Sequence, residues 1–365
     1  MRQFIFCVLL SIMVSGLTAQ STYYIVEGKV FDKESKLPLQ GASVFAQNTT
    51  IGSVSASDGS FTLYLPNGGY DLIITYTGYT TESRRVSSSN PDLKNMSVEI
   101  EKKDISMQDV AVRSSNEVKD GLEKYGSFLM ENFIGKTANS KACTISNKEA
   151  LKFYFSKKRN RLKVMASEPL EIINEALGYR IKYALDSFIY DYNTQVTLYT
   201  GYPLFEAMTS TDSLQAVQWV SNRKQAYQGS LLHFMRSMYA KQLRENGFEI
   251  QFLVKENEEE KAIIPANTYG AVNYTLDDST KIVSVLPNQL GLVVIYSKSP
   301  PEENYIKENP EEIDKFQLTI CNFSPNQPIY IEENGYYFDQ IDIIISQYLG
   351  WKKMADMLPY DYKPD

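Results

Sequence analysis

The 365-residue chain reads as a β-sandwich of about seven strands, followed by an α+β domain with antiparallel strands and one long helix. Three observations predict this. From Tyr23 to Ile100 the runs YYIVEGKVFD, ASVFAQ, GSVSA, SFTLYL, YDLIITY, TTESRRV and MSVEIE follow one another with turn residues between them. The 26 Tyr and 17 Phe residues suit strands better than a helical bundle. Beyond residue 121, strand-like alternation lies on both sides of a long helical pattern.

The opening segment, MRQFIFCVLLSIMVSGLTAQ, carries one basic residue, an apolar run from Phe4 to Leu17, and the small residue Ala19 before Gln20. That order describes a secretory signal peptide over residues 1–19, cut between Ala19 and Gln20. The apolar run, about 14 residues, is short of the roughly 20 that a membrane-spanning helix needs. Cys7 lies near the start of that run, away from the cleavage point, so a lipid-modified cysteine is not expected. The expected location is therefore exported, periplasmic or associated with the outer membrane, with no transmembrane span in the mature chain.

About 345 residues remain, enough for two domains that each bury a core. The formal charge is −7, and loss of Arg2 with the leader takes it to −8. An acidic chain without a basic block offers no electrostatic reason to bind nucleic acid or anionic lipid. Two cysteines survive processing, Cys143 and Cys321, in a compartment where disulfides persist. One bridge and two buried thiols are both open readings of that pair.

The first domain is expected over residues 20–112. Its turn chemistry is explicit at Lys36-Leu37-Pro38, at Asp58-Gly59, favoured in hairpin turns, and at Pro66-Asn67-Gly68-Gly69. The succession Gly28-Lys29-Val30, Pro38-Leu39-Gln40-Gly41-Ala42-Ser43-Val44, Ser57-Asp58-Gly59-Ser60-Phe61 and Tyr70-Asp71-Leu72 to Tyr76-Thr77-Gly78-Tyr79 resembles the carboxypeptidase-regulatory-like domain. The resemblance implies a prealbumin-like, seven-stranded sandwich. In envelope proteins of the Bacteroidetes type such a domain precedes other modules, including SusC-like TonB-dependent receptors, and it carries fold rather than catalysis. A 22-stranded receptor barrel does not fit in the roughly 250 residues that follow. Gly41, Gly59 and Gly78 read as turn positions. Tyr70, Tyr76 and Tyr79 read as cover for the sandwich, with a sugar-stacking surface as the alternative.

A linker is expected at 113–121, where charge becomes mixed and periodicity fades. The α+β domain then occupies 122–365. A helix is expected from Leu122, with Tyr125, Phe128, Leu129 and Phe133 on one face and Gly135 as its stop. Strands follow at LKFYFS, RLKVMAS, LEIIN, YRIKYAL, FIYDY and QVTLYT, then the long helix from Leu214 to Asn246 with Gly247 as its stop. Later strands are expected at FEIQFLV, KIVSVL, LGLVVIYS, FQLTIC, QPIYI and DQIDIII, and a short helix at Ser346 to Met357. The acidic run Glu256 to Glu260 reads as a solvated turn. The stretch Trp219 to Phe248 resembles the region, without established activity, that follows this β-domain in compact envelope proteins of the same bacteria.

Most enzyme classes lack their residues here. One histidine, His233, cannot supply the ligand set of a zinc carboxypeptidase or of an HExxH protease. No EF-hand run, G-x-S-x-G elbow, phosphate loop or G-x-G-x-x-G turn is present. Neither cysteine sits in a sequence that marks a nucleophile. No catalytic, cofactor-binding or metal-ligating residue is assigned, and no cofactor is expected.

The function read from the sequence is a non-enzymatic envelope binding or scaffold protein, with an envelope protein or a glycan as partner and carbohydrate binding as its most concrete form. The alternative is an unrecognised envelope hydrolase with a carboxylate site in the C-terminal domain, since 44 acidic residues offer many pairs and the deciding quantity is a distance. One polar stripe stands out. Tyr227, Ser230, His233 and Arg236 recur every three residues along the expected helix. They form either a ligand site or a hydrogen-bonded seam, and the arginine should lower the proton affinity of the histidine.

Overall fold

A computed structural model describes residues 23–88, 93–103, 116–256, 259–338 and 340–364. The expected leader with its cleavage point, and residues 113–115 of the expected linker, lie outside the described residues.

The chain opens with an N-terminal β region of two sheets. Its strands are β1 (Tyr23–Asp32), β2 (Ser43–Ala46), β3 (Gly52–Val54), β4 (Ser60–Pro66), β5 (Gly69–Thr75), β6 (Glu82–Ser87) and β7 (Met96–Ile100). One sheet has the order β4-β1-β7 and the other β3-β2-β5-β6. Alternation dictates the packing: Phe61, Leu63 and Leu65 of β4 are buried while Thr62 and Tyr64 face outward. These three share one core with Val26 and Val30 of β1, Val44 of β2, and Leu72 and Ile74 of β5.

The Asp58-Gly59 turn is present, yet it is not a hairpin. β3 and β4 belong to different sheets, so the turn carries the chain across the core. Gly59 sits at φ +79°, and a Cβ there would lie 2.6 Å from the Val30 carbonyl oxygen. Glycine is required on both counts.

A mixed α+β region follows. Helix α1 (Gly121–Leu129) continues as a π-helical turn, Met130–Ile134, and stops at Gly135 with φ +114°, where the sequence places the stop. It lies against a six-stranded antiparallel sheet built from β8 (Cys143–Ile145), β9 (Leu151–Ser156), β10 (Arg161–Ala166), β11 (Leu170–Asn174), β12 (Tyr179–Asp191) and β13 (Val196–Ala207). The order is β8-β11-β12-β10-β9, with β13 along the other edge of β12. Tyr125 of α1 stacks on Phe155 at 6.1 Å, which fixes the helix to the sheet.

The helix expected to run unbroken from Leu214 to Asn246 is two short helices, α2 (Ser213–Tyr227) and α3 (Leu231–Tyr239). Gln228 is extended, Gly229 is left-handed at φ +71°, and Ser230 Oγ accepts from the His233 amide at 3.1 Å, capping α3. Read as helical periodicity, Gln228-Gly229-Ser230 hides what it is, a glycine stop followed by a serine cap. Gly247, expected to end the helix, instead leads into a strand.

The rest is β14 (Phe248–Glu256), β15 (Glu259–Ile263), α4 (Thr268–Ala271), β16 (Thr275–Leu276), β17 (Val283–Val285), β18 (Gly291–Tyr296), α5 (Glu303–Glu308), β19 (Gln317–Phe323), β20 (Ile329–Ile331), β21 (Ile343–Ser346) and α6 (Gln347–Trp351). They form a five-stranded sheet, β15-β14-β18-β19-β21, and a three-stranded sheet, β16-β17-β20. The amphipathic α3 drives Phe234, Met235 and Met238 into the core beneath them. Of the acidic run, Glu256 ends β14 and pairs with Glu259 of β15; residues 257 and 258 of the expected turn lie outside the described residues. No helix among the described residues is long and apolar enough to cross a membrane.

Cys143 and Cys321 are free and buried in two different cores, so the bridge left open by the sequence is not formed. Burial pushes both thiols up to about 12, which leaves them without thiolate character.

Candidate functional site

The β2–β3 turn of the N-terminal region is inserted into the α+β region. Asn48 N–H donates to the Pro203 carbonyl at 2.8 Å, Phe205 N–H donates to Thr49 O at 2.9 Å, and Tyr360 N–H donates to Asn48 O at 2.7 Å. Asn48 takes φ +57°, a left-handed position that asparagine tolerates. Phe45 and Ile73, on the outer face of the N-terminal region, bury themselves against Leu204 of β13.

A half-open pocket of about 320 Å³ lies at this junction, at the small end of ligand sites. Tyr199 and Tyr202 reach it from β13, Tyr183 and Asp186 from β12, and Tyr336 and Tyr360 from the C-terminal segments. Gln47, Asn48 and Gln340 supply amides. Tyr336 donates its hydroxyl to Asp71 Oδ2 at 2.8 Å, and its ring meets that of Tyr360 edge-on at 5.7 Å. Burial pushes the Tyr199 and Tyr360 phenols up to about 12, side-chain hydrogen bonds from Asn48 and Gln340 moderating the second. The Tyr336 phenol is raised further by burial and by Asp71.

All these phenols stay neutral at physiological pH. They can donate, accept and stack, but they cannot act as bases. Asp186 is the one carboxylate in the lining; desolvation raises it, and a hydrogen bond with Tyr202 pulls the other way. Among the described residues no group of three or more His, Cys, Asp and Glu side chains is placed to hold a metal ion.

The polar stripe is used elsewhere. Ser230 caps α3. His233 Nδ1 accepts from the Gly229 amide at 3.2 Å, and its ring packs on Tyr227 at 4.7 Å and Phe248 at 4.9 Å. Its affinity for a proton falls to about 4, chiefly through burial, with Lys298 and then Arg236 adding to it. The arginine named from the sequence is thus a minor cause. Arg236 donates to three carbonyls, those of Asn334 at 3.0 Å, Tyr362 at 2.9 Å and Tyr360 at 2.9 Å.

Sequence reasoning singled out Tyr70, Tyr76 and Tyr79 but missed the tyrosines that line the pocket. Tyr70 is buried in the N-terminal core, and Tyr79 hands its hydroxyl to Asp32 at 2.5 Å. The abundance of tyrosine was the only signal for the others, and it carries no position.

A two-part chain of this kind, a small β region docked on a larger α+β region, carries a CarboxypepD_reg-like domain: residues 26–112 match that family. No curated protein matches the chain. Among solved structures it is similar to 3-chlorocatechol 1,2-dioxygenase from Rhodococcus opacus 1CP, at 13% identity over 24% of this chain and 62% of that one, with a TM-score of 0.19. A DUF3823 family protein from Parabacteroides merdae shares 12% identity over 50% and 82%, with a TM-score of 0.18. A protein of unknown function from Bacteroides fragilis shares 12% over 89% and 95%, also with 0.18. The chain spans less than two thirds of the dioxygenase, the first of these. TM-scores this low describe no common architecture.

Proposed function

We propose that this chain is an exported, non-enzymatic protein of the bacterial envelope, of the Bacteroidetes type, that binds or scaffolds, and that its junction pocket takes a carbohydrate. In this reading the two N-terminal sheets are a prealbumin-like sandwich that forms one wall of the site. The observation that carries it is the lining itself: neutral tyrosines beside amides and a single carboxylate. Sugar rings offer an apolar face for stacking and many hydroxyls for amide and carboxylate partners. Hydrolysis by the usual two-carboxylate route needs a second acid across the pocket, and Asp186 has no such companion in the lining. The Tyr227, Ser230, His233 and Arg236 group is then a seam that holds the site's walls rather than a site of its own.

Calorimetric titration with a panel of monosaccharides and envelope oligosaccharides tests this. Binding should weaken at least tenfold in Tyr202→Ala and Gln340→Ala, measured at a temperature where the unfolding midpoint shows each variant to be folded. Absence of binding across the panel would remove the carbohydrate reading. Release of reducing sugar that disappears in Asp186→Asn would establish the hydrolase instead. Export is tested by N-terminal sequencing of the protein from the producing cell, where Gln20 should come first and Met1 would count against it.

A further inference from the structure

Charge is unevenly spread along this chain. Its formal value is −7, and taken as a whole it gives no reason to meet an anionic partner. The β9–β10 hairpin reverses that locally. Residues 151–166 hold Lys152, Lys157, Lys158, Arg159, Arg161 and Lys163 and neither an Asp nor a Glu. Arg161 is in an ion pair with Asp191 at 2.6 Å. The other five are exposed, and among the described residues none of them has an ionic partner.

A second turn holds this one in place. The β12–β13 turn lies beside it: Tyr192 N–H donates to the Asn160 carbonyl at 3.0 Å, Asn160 Nδ2 to Asn193 Oδ1 at 3.1 Å, and Asn193 Nδ2 to the Arg159 carbonyl at 3.2 Å. Asn160 at φ +47° and Gln195 at φ +58° let both chains reverse within a few residues. Asp191, the acid at the base of the two turns, is taken up by Arg161 and by the Asn193 amide. Its charge is already matched, and Lys157, Lys158 and Arg159 are left free at the tip.

Apolar side chains flank these cations. Val196 is 57% exposed and Leu198 48%. Leu198 stands opposite Ile189, and Ile189 stands opposite Lys163 on its other side. These three therefore lie across one face of the sheet, turned away from the buried Leu162, Val164 and Phe188. A soluble polyanion would match the charges and leave Val196 and Leu198 in water. A bilayer with anionic headgroups takes both, phosphates meeting the ammonium and guanidinium groups and the acyl boundary meeting the apolar ones. Acidic residues elsewhere on the chain do not oppose the contact, because at physiological salt exposed charges are screened beyond about 8 Å.

We propose that the paired β9–β10 and β12–β13 turns are a docking surface for an anionic lipid bilayer, with Lys157, Lys158 and Arg159 against the headgroups and Val196 and Leu198 at the acyl boundary. Each cation near such a surface strengthens binding roughly fivefold. None of these five residues lines the junction pocket, so the surface stands or falls independently of what that pocket binds.

Protein purified from the producing cell is co-sedimented with vesicles of phosphatidylcholine alone and of phosphatidylcholine and phosphatidylglycerol in equal parts. Binding should be at least tenfold tighter to the mixed vesicles and should weaken as salt is raised. Lys157→Ser with Lys158→Ser and Arg159→Ser should weaken it at least tenfold at an unchanged unfolding midpoint. Lys29→Ser with Lys33→Ser and Lys307→Ser, the same loss of charge elsewhere, should weaken it less than twofold. Leu198→Ser should weaken it at least threefold. Equal binding to the two kinds of vesicle, or equal losses in the two triple variants, would overturn the proposal. Soluble polyglutamate bound as tightly as the mixed vesicles, with Leu198→Ser neutral, would overturn it in favour of an acidic polymer.

Discussion

Arg85 of β6 forms an ion pair with Glu332, which lies 247 positions further along the chain. Glu332 is 6% exposed and also accepts from the Gly69 amide. The Arg85 guanidinium lies 4.4 Å from the centroid of the Tyr336 ring and reaches Asp71 at 3.3 Å. One partly buried charge cluster therefore ties the N-terminal β region to the segment that carries Tyr336.

Arg85→Ala leaves Glu332 buried without its partner and should destabilise the chain by about 3 kcal/mol. The double substitution Arg85→Met with Glu332→Gln should recover part of that loss, because the uncompensated charge is gone while a side-chain oxygen still accepts from the Gly69 amide. A double-mutant cycle in denaturant measures the coupling. Equal losses in the single and double variants would mean that the pair does not hold the regions together.

Gly229→Ala should cost about 2–4 kcal/mol, since it combines a left-handed backbone with a steric clash. Its Cβ would lie 2.5 Å from Gln317 Oε1 and 2.7 Å from the Tyr296 ring. The unfolding midpoint reads the effect. A variant as stable as the parent would show that the α2–α3 break can relax.

His233 makes stability depend on acid. Its proton affinity is about 6.5 unfolded and about 4 folded, so between those values the unfolded chain takes a proton that the folded one refuses. Stability contributed by the neutral ring is complete above about pH 6.5 and is lost as pH falls toward 4, by roughly 1–2 kcal/mol. His233→Asn keeps an acceptor for the Gly229 amide but does not titrate. The difference in unfolding free energy between pH 7 and pH 4.5 should shrink by that amount, and an unchanged difference would count against the assignment.

Arg236→Lys should release the C-terminal segment, because an ammonium cannot reach the three carbonyls that the guanidinium fork binds. Hydrogen exchange at the Tyr360 amide, bonded to Asn48 O, should rise at least tenfold. Unaltered protection would place the anchor elsewhere.

A fragment of residues 20–112 should unfold cooperatively, since every strand from β1 to β7 except β3 contributes to one core. It should also self-associate or bind a hydrophobic dye, because Phe45 and Ile73 lose Leu204. A monomeric fragment that binds no dye would show that this face does not need its partner.

What the sequence by itself determined is local. Alternation in β4 gave its buried and exposed faces, Gly135 gave the end of the first helix, and the four spaced motifs gave a domain over residues 20–112, of which 26–112 match the family. Each rests on chemistry within a few residues, where sequence position and spatial position coincide. The break at Gly229 was equally local but was masked by apolar spacing that continues on either side of it. Only the tertiary structure decided which sheets the Asp58-Gly59 turn joins, which of 26 tyrosines share a pocket, and that Arg85 meets Glu332. These depend on packing between segments tens to hundreds of residues apart, where burial decides which polar groups must find each other and no periodicity records the answer.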